Sequence, residues 1–250
     1  MDKKPSISVV VPAYNEEERI EGTVDAINES LGERFSDHEI LIFNDYSTDK
    51  TGEISDKLKA KDSHIRVIHN PTNMGFGYNY LEGVRLAEKD YVIMVPGDNE
   101  IPREAIKKIF TQVGRADIIV PHTANMEVRP LSRQIVSKSF TGLINLFFGL
   151  DLAYYNGTCV HKRSLLKKFP VKTHGFAYMA TILVRAIKSG ASFTEIGVDI
   201  EQRVGGESKA FAIKNVVSVL TALLGLFWEV RIAGRAKYSK RPKRIEPLLE

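Results

Sequence analysis

Tyr-Val-Ile-Met-Val-Pro-Gly-Asp-Asn-Glu-Ile-Pro, residues 91–102, joins an apolar run to a short acidic loop and then to a helix start. Tyr91 to Val95 has the composition of a strand buried on both faces, and Pro96-Gly97 closes it. Asp98 and Glu100 stand two residues apart, a spacing that returns to the same side of an extended chain. Two hard oxygen ligands at a strand end suit Mg²⁺ or Mn²⁺, which take one or two carboxylates and complete their shells with water and substrate phosphates. The structural alternative is a Gly-Asp turn with Glu100 at a helix start. Pro102 to Val113 reads as a helix, so the whole stretch is one strand–loop–helix unit.

The same unit repeats on its N-terminal side. Ile7 to Val11 reads as a strand stopped by Pro12, and Glu16 to Leu31 as a helix with Ile20, Val24, Ile27 and Leu31 inward. A strand over 38–43 leads through the polar turn 44–49 into a helix over 51–61. Strands follow over 65–69 and 117–120, with a helix over 77–88 after the first of them. Strands alternating with helices across short loops predict an α/β fold, a mostly parallel sheet with helices on both faces. Ligands of such sheets gather at the carboxyl ends of the strands. The loops at 12–16, 44–49 and 97–100 are all predicted there. No Gly-x-Gly-x-x-Gly follows the first strand, which argues against a dinucleotide site.

With 250 residues, 43% hydrophobic and 26% charged, the chain suits one large domain or one domain with an appendage. Its single cysteine, Cys159, provides neither an internal disulfide nor a zinc cluster, and a reducing, intracellular setting is expected. The formal charge is +4, yet residues 231–244 alone hold seven basic side chains and no acid. The rest of the chain is therefore net acidic. This placement predicts that the C-terminus faces an anionic partner surface, with no nucleic-acid groove through the domain; a solvated tail is the alternative. Two uncharged runs, 139–150 and 215–228, have helical spacing. As a helix the second would span about 21 Å, short of a ~30 Å hydrocarbon core. A core helix or an in-plane interfacial helix is expected, with the basic run adding attraction to anionic lipid. The domain boundary is set at 1–210 and 211–250, the latter a helical, basic extension.

Three motifs carry a resemblance. Residues 9–17 (Val-Val-Val-Pro-Ala-Tyr-Asn-Glu-Glu), 43–51 (Phe-Asn-Asp-Tyr-Ser-Thr-Asp-Lys-Thr) and 73–77 (Asn-Met-Gly-Phe-Gly) are similar, in that order, to the inverting family 2 glycosyltransferases of the GT-A fold. The resemblance implies sugar transfer from a nucleoside diphosphate donor, a GDP- or UDP-sugar, with Mg²⁺ or Mn²⁺ held by Asp98 and Glu100. Pro12, Tyr14, Glu16, Asp45, Gly97 and Asp98 would line the donor. Asp45 and Asp49 can each cap a turn or helix instead; capping is assigned to Asp49 and binding to Asp45. The metal loop departs from the polyprenyl-phosphate branch, which reads Asp-Ala-Asp-Leu-Gln there. Here Pro96 replaces the first Asp and Glu100 the Gln.

Residues 175–180 hold no carboxylate where hydroxyl-glycosylating relatives carry their base. A hydroxyl nucleophile needs such a base, whereas a phosphate monoester is already anionic. The resemblance is thus to the branch that includes dolichol-phosphate mannosyltransferase, with a polyprenyl phosphate acceptor at the cytoplasmic face of a membrane. Arg133 is the expected acceptor-phosphate ligand, backed by Arg129 and Lys138. Arg203 and Lys209 match the branch's Arg…Gly-x-Ser-Lys loop and would offset charge on the leaving diphosphate. Asp98, Arg133 and Arg203 are the expected catalytic set. A saccharide or other hydroxyl acceptor, a non-catalytic nucleotide-binding module, and a homodimer joined through the last forty residues stay open.

Overall fold

The computed structural model describes residues 4–169, 177–201 and 213–248. Its centre is a pair of parallel strands, β1 (Ser6–Ala13) and β2 (Asp37–Asn44), in register from Ser6↔Asp37 to Ala13↔Asn44. Val9, Val10, Val11, Ile40, Leu41, Ile42 and Phe43 are all fully buried. Both faces are covered, so the strands read as continuous apolar runs without alternation. Outside them lie β3 (Ile65–His69) on one side and β4 (Tyr91–Met94) on the other. Then come β5 (Ile118–Thr123), β6 (Val160–Lys162), β7 (Ser192–Val198) and β8 (Lys243–Arg244). The spatial order is β3-β2-β1-β4-β6-β5-β7-β8. Every strand shares one direction except β6, which is antiparallel to β4 and to β5.

Period-two alternation sends successive residues to opposite layers. Ile7, Val9 and Val11 meet α1 (Ile20–Leu31) and α4 (Arg103–Thr111) through Ile20, Val24, Ile27, Ile106, Ile109 and Phe110. Val10, Leu41 and Phe43 face the second layer. There lie α3 (Gly75–Leu86), α5 (Leu131–Phe148), α7 (Tyr178–Lys188) and α8 (Ile213–Phe227). The remaining helices are α2 (Thr51–Lys61) and the short α6 (Arg163–Leu166). Gly83 is the contact point of α3 with the sheet, where a Cβ would lie 2.5 and 2.6 Å from the two methyls of Val10.

The expected α/β sheet with helices on both faces is present. Its helix ends differ where local hydrogen bonding competes. The first helix begins at Ile20, because residues 16–19 form a turn in which the Glu16 carbonyl accepts from both Arg19 and Ile20 N–H. The helix expected over the uncharged run at 139 starts at Leu131, its first turns carrying Arg133 and Lys138. The C-terminal stretch contributes Leu223, Leu226, Val230 and Tyr238 to the larger core cluster, and β8 pairs with β7. The boundary expected after residue 210 lies outside the described residues. Among the described residues no helix is long and apolar enough to cross a membrane.

An ion pair between Arg185 and Glu229 helps to tie this stretch to the body. Arg185 of α7 donates to both carboxylate oxygens of Glu229, at 2.6 Å from Nη2 and 3.1 Å from Nε, and the Tyr238 hydroxyl donates at 2.8 Å. Burial pushes the Glu229 carboxyl up, but the bonds from Arg185 and Tyr238 reverse that and hold it below its ordinary range. A depressed carboxyl contributes stability at neutral pH and loses it as acid protonates the folded state. Glu229→Gln is therefore expected to melt below wild type at pH 7, with the gap closing as pH falls through the carboxylate range. Thermal unfolding of both proteins between pH 7 and pH 3 checks this.

Candidate active site

Because all strands but β6 run the same way, Ala13, Asn44, His69, Met94, Thr123 and Val198 end along one edge of the sheet. Among the described residues, three non-glycine positions have positive φ: Asn15 (58°), Tyr46 (66°) and Asn99 (52°). They fall one each in the loops after β1, β2 and β4. Left-handed backbone costs an L-residue roughly 1–2 kcal/mol, and such strain clusters where ligands are held. Asn15 and Asn99 escaped the sequence reading, although Asn after a strand end is the available signal for this conformation.

The first two loops are stitched together. Asn15 N–H donates to Ser47 Oγ (3.1 Å), and its side-chain oxygen accepts from Thr48 N–H (2.9 Å). Glu16 N–H donates to Thr51 Oγ1 (2.8 Å), Glu17 N–H to Asp49 (3.1 Å), and the Glu17 carboxylate accepts from Lys50 N–H (2.8 Å). Asp49 also accepts from Thr51 N–H at 2.9 Å, the expected cap at the start of α2. The stitching leaves the Tyr14 and Tyr46 rings exposed at the edge.

Asp45 is only 3% exposed. Its Oδ1 accepts from Asn70 Nδ2 (2.7 Å) and Met74 N–H (2.8 Å), and its Oδ2 from Gly75 N–H (2.8 Å). The carboxylate thus holds the N-terminus of α3, where it also complements the helix dipole. Asp45 and Asp49 both make capping hydrogen bonds, and Asp45 keeps one lone pair of Oδ2 for a further donor.

Pro12 and Gly97 act through backbone. Gly97 N–H donates to the Pro12 carbonyl at 3.0 Å, prolonging the β1–β4 pairing beyond the strands. A Cβ on Gly97 would lie 3.0–3.2 Å from Ala13, Ile20 and the Pro12 carbonyl, so at this close approach a side chain would press its neighbours apart by a few tenths of an ångström. The approach brings Asp98 and Glu100 alongside Glu16. Burial raises the Glu16 carboxyl above its ordinary value, the charges of Asp98 and Glu100 push it further, and Arg19 at 3.6 Å opposes them. Asp98 Oδ1 accepts the Glu100 N–H at 3.2 Å, which fixes the turn between the two acids.

The gathering of Asp98 and Glu100 beside Glu16 is the observation that tests a metal's fit. No group of three ligands stands ready-made among the described residues. Mg²⁺ or Mn²⁺ needs only one or two carboxylates beside phosphate oxygens, and Asp98 with Glu100 provides that number. The residues fit. It follows that Glu16→Gln should raise the melting temperature of the ligand-free protein at pH 7, because a carboxyl with a raised pKa is penalised when ionised. The gain should vanish in acid, where Glu16 is neutral in both states. Melting curves without added metal, at both pH values, measure it.

The cationic residues stand farther along the same edge. Arg129 ends the loop after β5, its guanidinium 5.7 Å from the Tyr154 ring centroid. Arg133 and Lys138 follow on the first turns of α5, and neither side chain is bonded to another described residue. Asn125 pairs with the backbone of Ile200 in both directions (2.9 and 3.0 Å), which brings the chain beyond β7 to this edge. Arg203 and Lys209, expected on the loop that follows, lie outside the described residues.

Residues 8–187 match the glycosyl transferase family 2. The undecaprenyl-phosphate mannosyltransferase of Micrococcus luteus is 24% identical over 237 residues, covering 89% of this chain and 96% of that one. Glycosyltransferase AglD of Haloferax volcanii is 26% identical over 92% of this chain, which spans 38% of that protein's length. Among solved structures, glucosyl-3-phosphoglycerate synthase from Mycobacterium tuberculosis, in complex with Mg²⁺ and UDP, superposes with a TM-score of 0.65 at 19% identity, covering 89% of this chain and 79% of that one. S. aureus TarS 1–349 in complex with UDP-GlcNAc gives 0.66 at 19% identity, over 93% and 69%. These superpositions bear on the fold. The family match, extending over most of the chain and lying on this sheet, makes the protein a family 2 glycosyltransferase of the GT-A fold.

Proposed function

We propose that the enzyme transfers a sugar from a nucleoside diphosphate sugar, a GDP- or UDP-sugar, to a polyprenyl phosphate at a membrane surface, with inversion at the anomeric carbon. The observation that carries this reading is the division of one sheet edge into an acidic part, Glu16, Asp98 and Glu100, and a cationic part, Arg129 and Arg133. A diphosphate with its cation suits the first, and an anionic acceptor the second. The M. luteus relative and the polyprenol monophosphomannose synthase of Mycolicibacterium smegmatis, 25% identical over 80% of this chain, support a lipid-phosphate acceptor. The UDP complexes of the structural neighbours support a nucleotide donor.

Tyr14 offers its ring to the base or ribose, Pro12 and Gly97 shape the backbone floor, and Asp45 offers its remaining lone pair to a base N–H. Asp98 and Glu100 would hold Mg²⁺ or Mn²⁺, which supplies charge neutralisation to the diphosphate leaving group. Arg133 grips the acceptor phosphate through paired N–H donors, with Arg129 and Lys138 behind it. An acceptor phosphate oxygen attacks the anomeric carbon as the bond to the diphosphate oxygen breaks on the opposite side. The nucleoside diphosphate leaves as the anion, and Arg203 and Lys209 offset its charge. The phosphate nucleophile needs no general base, in keeping with the carboxylate-free 175–180 stretch.

Labelled nucleotide sugars offered with polyprenyl phosphate or with soluble saccharides test the reading. Product in the lipid phase, dependent on Mg²⁺ or Mn²⁺, is expected. Transfer to saccharides alone would replace the acceptor proposed here.

A further inference from the structure

Helices α5 and α8 lie against each other through Phe147, Phe148 and Phe227, whose ring centroids are 5.8 and 6.3 Å apart, and Arg231 Nε donates to the Phe147 carbonyl at 2.9 Å. Each helix buries one side in the core: Thr141, Ile144 and Phe148 on α5, Leu223 and Leu226 on α8. The opposite sides expose apolar side chains as well. With about 100° between successive residues, Leu131, Ile135 and Leu146 fall in one stripe of α5. Val217, Leu220 and Leu224 fall in one stripe of α8, which Trp228 continues just past its end. These seven side chains are 48–77% exposed. Single exposed apolar residues are ordinary on a monomer, but two stripes on touching helices are not.

Charge says what they face. The seven basic residues of 231–244 are all exposed, and no acid interrupts them. Arg244 pairs with Glu195, and Lys237 sits over the Phe169 and Tyr238 rings. Arg235, Lys240, Arg241 and Lys243 have no acidic partner among the described residues. A second copy packed symmetrically here would bring two such runs together and repel. An anionic sheet of lipid would neutralise them. With 15 residues, α8 is about 22 Å long, too short to cross a bilayer but suited to lying in its surface.

We propose that the exposed stripes of α5 and α8 form a docking surface for a bilayer containing anionic phospholipid, with Leu146, Leu224 and Trp228 among the acyl chains and the 231–244 run at the headgroups. The α5 stripe starts at Leu131 and includes the exposed Lys138, seven residues on, so the lipid surface reaches a cation of the active-site edge. A lipid-borne phosphate can then meet Lys138 without its chain crossing water. That last step rests on the polyprenyl-phosphate reading, whereas the docking surface does not.

Flotation with vesicles of phosphatidylcholine, alone or with phosphatidylglycerol, tests the surface in the absence of donor and polyprenyl phosphate. Wild type is expected to float with the phosphatidylglycerol vesicles and to lose binding as salt is raised. Leu224→Glu/Trp228→Glu should lower partitioning by about tenfold or more, and Arg235→Glu/Arg241→Glu by at least about tenfold. The first pair should keep transfer to detergent-dispersed acceptor within about twofold of wild type while losing transfer to acceptor in vesicles. Leu146→Glu provides the same test from α5 should the α8 pair not fold. Unchanged flotation of the variants, no flotation of wild type, or a wild-type dimer that Leu224→Glu/Trp228→Glu converts to monomer would each overturn the surface. Vesicle binding with no transfer to polyprenyl phosphate in any format would leave the surface standing and remove the acceptor reading.

Discussion

Asp98→Ala is expected to reduce sugar transfer by about a thousandfold, the scale on which removing a preorganised electrostatic contact acts, while the protein stays folded. The two halves of this expectation come from separate observations. Asp98 is one of the two carboxylates proposed to hold a cation on the donor diphosphate, and removing it leaves Glu100 as the other. Structurally, Asp98 contributes only its bond to the Glu100 N–H at 3.2 Å, while Gly97 fixes the loop through backbone. Its removal also relieves the charge pressing on Glu16, so the ligand-free melting point should hold or rise. Melting with a nucleoside diphosphate and Mn²⁺ separates the effects: a ligand held at 100 times its Kd stabilises the native state by about 2.7 kcal/mol. Wild type should gain from the pair and Asp98→Ala should not. Near-normal turnover in the variant would end the metal role.

The largest stability effect is expected at Gly83. Gly83→Leu should cost about 3 kcal/mol, the upper end for forcing extra atoms into a packed core, and lower the melting point by roughly 6–12 °C for a domain of this size. Even the β-carbon of alanine would lie 2.5 Å from a Val10 methyl. Val10 cannot swing aside, since it is β-branched, fully buried and paired across to Leu41 and Met94. Helix propensity alone would favour alanine over glycine by about 1 kcal/mol, so a loss in Gly83→Ala would already show that the contact dominates. Val10→Ala relieves the collision. The double variant should therefore be more stable than the sum of the single losses implies, a coupling that urea unfolding of the four proteins measures.

The first half of the fold was legible because its signals are local. Ile7–Val11 and Tyr91–Met94 are unbroken apolar runs, and Ile20, Val24, Ile27 and Leu31 repeat at helical spacing within their own helix. The middle of the sheet was not legible. β6 is three residues, Val160-His161-Lys162, whose strand character comes only from neighbours far away in sequence. Ser192–Val198 alternates weakly and is a strand because β5 lies beside it in register. At the site, the acids were visible as residues but not their mutual proximity, which depends on Gly97 fitting against Pro12 and Ala13. Nor could spacing tell that Asp45 reaches thirty positions along the chain to hold the start of α3.

The reversed strand β6 has a mechanical consequence. It meets β4 through two residue pairs and β5 through two, against eight between β1 and β2 and six between β5 and β7. The sheet is two stiff plates joined by a narrow weld. One plate carries the loops after β1, β2 and β4, the other Arg129 and the chain beyond β7. The weld is reinforced from below by a 2.9 Å hydrogen bond between Tyr80 of α3 and His161, and burial holds His161 down at about 3, so it stays neutral at physiological pH. Acid or base near neutrality therefore does not loosen the joint. Shear along β6 would change the gap between the two parts of the sheet while leaving the β1–β2 and β5–β7 pairing whole, so on the proposed reading the donor-to-acceptor distance is set where the sheet has few strand pairs.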